Sequence, residues 1–246
     1  MSRRNGDFTQ FLALACDGDG TVATRKKIAK ATVQSLRHFR ETGRKLILAT
    51  GETEEQIARF PDVELFDVVV GENGAILYWP SAKAVTSLAN RCPKSLLEEL
   101  RKAKVPEVTH GRTIVSTVRP YDKHLAAALA LLELDWRIIY NRHEAMALPR
   151  GVDKSTGLCA ALKELGISPR HVVAIGDAEN DVALLKCCGL GAAVGTAVPM
   201  LKRAATVVTR AGSGRGVVNL IERILANRSR DIVPVGGKLG IRLARE

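Results

Sequence analysis

Four short stretches of the chain hold side chains able to do chemistry. The first is Asp17-Gly18-Asp19-Gly20-Thr21. Two carboxylates two residues apart share one loop, so one can attack while the other handles protons. Gly20 permits a backbone turn that a side chain would hinder. The second is Gly176-Asp177-Ala178-Glu179-Asn180-Asp181. Asp177 and Asp181 lie four apart, and both face one point if a helix begins early. Oxygen ligands of this kind suit a hard cation such as Mg²⁺. The third is Thr50-Gly51, whose hydroxyl and backbone N–H groups suit a phosphate. The fourth is Lys154, a cation at a helix start, where the helix dipole disfavours it. Each alone also reads as a turn, a helix cap or a surface lysine. Their shared placement carries the weight.

That placement depends on strand ends and helix starts. Phe11 to Cys16 is a continuous apolar run, as expected of a strand buried on both faces and ending at Asp17. Lys27 to Glu41 has near-helical apolar spacing, closed by Gly43. Lys45 to Ala49 is a second buried strand that delivers Thr50, and Asp67 to Val70 a third. Thr53 to Phe60 is a short helix stopped by Pro61. Further on, Lys154 to Leu165 is helical, Val172 to Ile175 is a strand, and Glu179 to Cys187 is a helix. Short strands at Gly191 to Val194 and Thr206 to Val208 and a helix at Gly216 to Leu225 follow. Strands alternating with helices predict an α/β fold, a Rossmann-like doubly wound parallel sheet.

Between Pro80 and Pro149 the texture changes. Helices are expected at Pro93 to Ala103 and Tyr121 to Leu132, and strands at Arg112 to Val118, Trp136 to Tyr140 and Glu144 to Leu148. Strands close in sequence predict a small antiparallel α+β module inserted into the first. The expected organisation is a core from residues 1–80 and 150–226, an insert at 81–149, and an extension or linker at 227–246.

Composition bounds the function. Apolar residues are 46% and charged residues 26%, as in soluble globular chains. No apolar run approaches the roughly 18–20 residues that span a bilayer. The polar first ten residues lack a signal-peptide core, and a cytoplasmic location is the expectation. Five cysteines without CxxC spacing and five histidines without a paired pattern argue against zinc. The net charge is +11, and residues 202–246 hold ten Lys/Arg against three Asp/Glu. A basic surface favours anionic partners such as phosphorylated substrates or nucleic acid.

The order DxDGT at Asp17–Thr21, then Thr50, Lys154 and Gly176–Asp181 resembles the four motifs of the haloacid dehalogenase superfamily. The resemblance covers roughly residues 10 to 226. Asn73-Gly74-Ala75 and an insert between the second and third motifs resemble its second class. Gly151-Val152-Asp153-Lys154 with Gly157 is similar to phosphoglycolate phosphatase-like and sugar-phosphatase-like members with the small C2B cap. The resemblance implies an aspartyl-phosphate mechanism with Asp17 as nucleophile and Asp19 as general acid and base. It implies Mg²⁺ held by Asp17, the Asp19 carbonyl, Asp177 and Asp181. Thr50, Gly51 and Lys154 would bind the phosphoryl oxygens, with Asn180 positioning phosphate or metal shell. Two positions depart from the pattern: Glu52 stands where the family usually has arginine, and Gly18 where it has a bulky residue.

The reading that follows is a Mg²⁺-dependent phosphatase of a small phosphorylated metabolite, a sugar phosphate or a small acid such as phosphoglycolate. Arg119, Tyr121 and Tyr140 of the insert are candidates for specificity. Two alternatives stay open: a phosphotransferase or phosphomutase with the same nucleophile, and a nucleic-acid-associated module using the basic C-terminal segment. An exposed sheet in the insert leaves room for a homodimer.

Overall fold

A computed structural model describes residues 10–226 and two further short strands, Ile232–Pro234 and Ile241–Leu243. The polar first residues and the rest of the basic segment 227–246 lie outside the described residues. Strand β1, Ala13–Asp17, is buried along its whole length. It pairs in parallel with β2, Lys45–Ala49, on one side. Its other neighbour is β10, Val172–Gly176, also parallel. The chain leaves β1 through helix α1, Lys30–Glu41, to reach β2, and continues to β3, Val68–Gly71. From β10 it moves the other way, through α6, Val182–Cys187, to β11, Leu190–Ala193, and then β12, Val207–Val208. The direction of winding therefore reverses between β1 and β10, and open α/β sheets bind ligands at such a reversal. The register sets Asp17 against Ala49 and Cys16 against Ile175. Asp17, Thr50 and Asp177 thus emerge at the same edge of the sheet.

The α/β class read from the sequence is the class observed, but the sheet is not wholly parallel. After β3 the chain folds into a hairpin, β4 Ile76–Trp79 and β5 Ala84–Ser87, both antiparallel to their neighbours. The expected boundary at residue 81 falls inside this hairpin, whose second strand belongs to the large sheet.

The smaller sheet has four antiparallel strands: β6 Thr109–His110, β7 Val115–Val118, β8 Trp136–Asn141 and β9 Glu144–Pro149, in the order β6-β7-β9-β8. Alternation along β7 and β9 gives it two characters. Val115 and Ala147 meet Leu96 and Leu100 of helix α3, Lys94–Lys102, and Leu125 and Leu129 of α4, Asp122–Leu131. The opposite side carries Ser116, Glu144 and Met146 toward the large sheet. The strand expected from Arg112 begins only at Val115. Residues 112–114 are drawn out of it because the buried Glu72 carboxylate accepts their three amides at 2.8, 2.8 and 3.0 Å. Among the described residues, no helix is long and apolar enough to cross a membrane.

Candidate active site

β1 delivers Asp17 and the chain turns back within one loop. Gly20 takes φ +94°, and a Cβ there would lie 2.5 Å from the Asp177 carboxylate. Glycine is needed for the backbone and for the close approach of Asp177. Thr21 Oγ1 donates to Asp177 Oδ1 at 3.3 Å.

The expected helix at 179–187 is split. A 3-10 turn, Glu179–Asp181, precedes α6. Asp181 Oδ2 accepts the amides of Asp177 and Ala178 at 3.0 and 3.1 Å. Asp181 therefore closes the turn with one oxygen and offers the other to the site. Lys154 opens helix α5, Lys154–Glu164, behind the Asp153 cap. Its side chain is 1% exposed, and Nζ donates to Asp17 Oδ1 at 2.5 Å and Asp181 Oδ1 at 2.7 Å. Burial alone would lower the Lys154 ammonium, but Asp17 and Asp181 outweigh it and hold it above the ordinary lysine value. The same two carboxylates overcome the unfavourable helix dipole.

Asp17, Asp177 and Asp181 are all buried and offer oxygens within 4.8 Å of one another. Burial pushes the Asp17 carboxyl up to about 8; Asp181 adds to the rise and Lys154 opposes it. Among the described residues, the buried Asp17 Oδ2 has no hydrogen-bond partner. Hard oxygen donors converging with surplus negative charge fit a divalent cation.

The remaining expected residues gather at the same edge. Thr50 is buried, and its Oγ1 accepts the Glu52 amide at 3.2 Å. A Cβ on Gly51 would lie 3.1 Å from Asn73 Nδ2. A Cβ on Gly18 would lie 3.3 Å from Thr50 Oγ1, so the small residue lets the loop sit close to Thr50. Asp19 is exposed, its Oδ1 accepting the Lys26 amide at 2.8 Å. Asn180 donates to Asn73 Oδ1 at 3.1 Å and keeps a buried, unpartnered Oδ1. Asp17, Asp19, Thr50, Gly51, Lys154 and Asn180 line one cavity of about 290 Å³.

Sequence reasoning missed Lys26, Arg142 and Glu144. Lys26 Nζ lies 2.9 Å from Glu52 Oε1, and Glu144 lines the cavity from the smaller sheet. Arg142 Nη2 donates to Asp177 Oδ2 at 2.5 Å from the turn between β8 and β9. None has a local motif; only the tertiary fold brings them in. Arg119 and Tyr140 stack on each other, 4.1 Å from guanidinium carbon to ring centre, and neither they nor Tyr121 line the cavity.

Known proteins resemble the chain in sequence and in fold. The model of the haloacid dehalogenase-like hydrolase family matches residues 14–119 and 117–221. Phosphoglycolate phosphatase 2 of Saccharolobus solfataricus is 31% identical over 221 residues, 87% of this chain and 93% of that protein. A phosphoglycolate phosphatase of Methanothermobacter thermautotrophicus is 26% identical over 87% of this chain and 98% of its own. Among solved structures, a phosphatase of the haloalkanoate superfamily from Bacteroides thetaiotaomicron superposes with a TM-score of 0.73 at 18% identity, over 91% of this chain and 98% of that one. A subclass IIB sugar phosphatase does so with 0.70, also at 18% identity, over 86% and 98%. By a match along nearly all of its described length, the chain belongs to the haloacid dehalogenase-like hydrolase family, among its phosphatases.

Proposed function

We propose that the protein hydrolyses a small phosphate monoester in the cytoplasm, with Asp17 as nucleophile and Asp19 as general acid and base. The observation that carries this reading is the state of Asp17. One carboxylate oxygen is held by Lys154 and the other is buried without a partner beside an open cavity. A fixed carboxylate with a free oxygen is what attack on phosphorus requires. Asp17 forms the bond to phosphorus, the bond to the leaving oxygen breaks, and Asp19 gives that oxygen its proton. Asp19 then takes a proton from water as the water oxygen attacks phosphorus, releasing phosphate and restoring Asp17. Exposure of Asp19 within the cavity suits a group that exchanges protons with substrate and water. The Thr50 hydroxyl, the Gly51 amide, the Lys154 ammonium and the Asn180 amide bind the phosphoryl oxygens.

Asp17, the Asp19 carbonyl, Asp177 and Asp181 would hold Mg²⁺. When bound, Mg²⁺ offsets the charge that keeps a carboxylate from a phosphate dianion. Lys26 keeps a cation at the cavity mouth despite Glu52. The four-stranded unit acts as a cap that limits the cavity and excludes water. The relatives' names and the small cavity favour a compact phosphorylated acid or sugar.

The test is release of inorganic phosphate from a panel of monoesters by wild type and Asp17→Asn, with Mg²⁺ and with a chelator. Release is expected only from wild type with Mg²⁺. Undiminished release by Asp17→Asn would overturn the reading.

A further inference from the structure

The turn Asn141–Arg142–His143 at the tip of β8 and β9 reaches from the smaller sheet onto the carboxylate cluster. Arg142 takes φ +54°, a region uncommon for residues with a side chain. Its amide donates to Glu179 Oε2 at 3.3 Å, and Nη2 donates to Asp177 Oδ2 at 2.5 Å. The Asp177 side chain is 3% exposed while that of Arg142 is 54% exposed. A half-solvated cation is thus joined to a buried anion. Asp177 belongs to the one convergent acidic group found among the described residues. The neighbours of Arg142 in the same hairpin, Asn141 and Glu144, already line the cavity.

Formal charge decides what this contact does. With Asp17 ionised, three carboxylates and the Lys154 ammonium leave two negative charges, which a divalent cation cancels. With the guanidinium also on Asp177, two cations would share one carboxylate and repel each other at close range. We propose that Arg142 is a tethered counter-ion for this cluster. It neutralises Asp177 while the cation is absent and leaves when the cation binds, so that cation loading frees the hairpin tip. The inference rests on the reading of the cluster as a Mg²⁺ site. Linkage makes the effect reciprocal: whatever Arg142 gains from Asp177 is subtracted from Mg²⁺ affinity. A guanidinium that merely supports Asp177 beside the cation would have the opposite sign.

Calorimetric titration of Mg²⁺ into wild type, Arg142→Gln and Arg142→Lys tests this. Arg142→Gln is expected to bind Mg²⁺ about five- to tenfold more tightly, the scale of one partly buried ion pair. Arg142→Lys keeps the charge and should stay nearer wild type. In parallel, hydrogen exchange of residues 141–144 should speed up when Mg²⁺ is added to wild type and change little in Arg142→Gln. Equal or weaker binding by Arg142→Gln, or a tip that becomes more protected with Mg²⁺, would overturn the proposal and leave the metal reading standing. Failure of wild type and both variants to bind Mg²⁺ at all would overturn both.

Discussion

Asp17 is held in a state that water would not give it. Burial, Asp181 and Asp177 raise its carboxyl to about 8, against an ordinary value of 3.8, while Lys154 opposes them. A folded-state value above the unfolded one means that the fold binds the proton more tightly. Stability of the metal-free protein should therefore fall as pH rises from about 3.8 to about 8. Asp17→Asn removes that charge, so its melting temperature at pH 7.5 without metal should exceed wild type by several degrees while phosphate release is lost. Thermal melts of the two proteins across this pH range check the sign. Lys154 gives the converse case. Lys154→Met leaves Asp17 and Asp181 buried without their cation, and breaking a buried pair in this way costs about 3–5 kcal/mol. A denaturant midpoint well below wild type is expected, with partial recovery on adding Mg²⁺. These residues were legible in the sequence because each sits beside its own strand end or helix start. Arg142, Lys26 and Glu144 were not, because their part in the site depends on which distant loop they meet.

At the scale of elements, the parallel register of β2, β1 and β10 brings three of the four motifs to one sheet edge, and helix α5 adds Lys154 to them. That register was legible because buried parallel strands write continuous apolar runs, as Leu46 to Ala49 and Val172 to Ile175 do. The β4–β5 hairpin was less so: Ala84–Ser87 is mostly exposed and lacks the apolar run that marks a core strand. The start of β7 was misread for a different reason. Thr113 and Ile114 alternate as a strand would, but Glu72 competes for their amides across 41 and 42 residues of sequence. This buried carboxylate ties the smaller unit to the larger, with the Arg112–Glu54 ion pair beside it at 2.5 Å. Glu72→Gln turns one acceptor into a donor facing amide donors, so a loss of about 1–3 kcal/mol is expected there. Hydrogen exchange at residues 112–114 should quicken, while Mg²⁺ affinity stays at the wild-type value because Glu72 is apart from the carboxylate cluster. A change in affinity as large as the change in exchange would show that the joint and the site are one unit.

The whole molecule encloses its chemistry between two sheets of different character. The large sheet supplies Asp17 and the groups around it, and the small sheet with the loop before β7 supplies a roof bearing Ser116, Glu144 and Ile114. The Glu72 grip and the Arg112–Glu54 pair fix one side of that roof, and Arg142 touches the other. With Arg142 docked the roof is held at both sides, and the cavity is near 290 Å³, at the lower end of ligand sites, which run from about 300 to 1,000 Å³. In the proposed reaction the phosphoryl group would take up the Asp17 end. What remains faces Lys26, Ser116 and Glu144, polar groups suited to a short hydroxylated or carboxylated leaving group. A nucleoside has both more volume and an aromatic face, and among the described residues the lining offers no aromatic ring to stack on it. Values of kcat/KM for phosphoglycolate or a small sugar phosphate should thus exceed those for nucleoside monophosphates by about 100-fold, the factor that steric rejection of this kind supplies. The comparison should be made with Glu72→Gln as well as wild type. If loosening the Glu72 grip narrows the gap mainly through KM for the bulky esters, the roof sets specificity by its closure. If the gap is unchanged, the selecting groups lie on the fixed faces, and Glu144 and Lys26 are the residues to replace next.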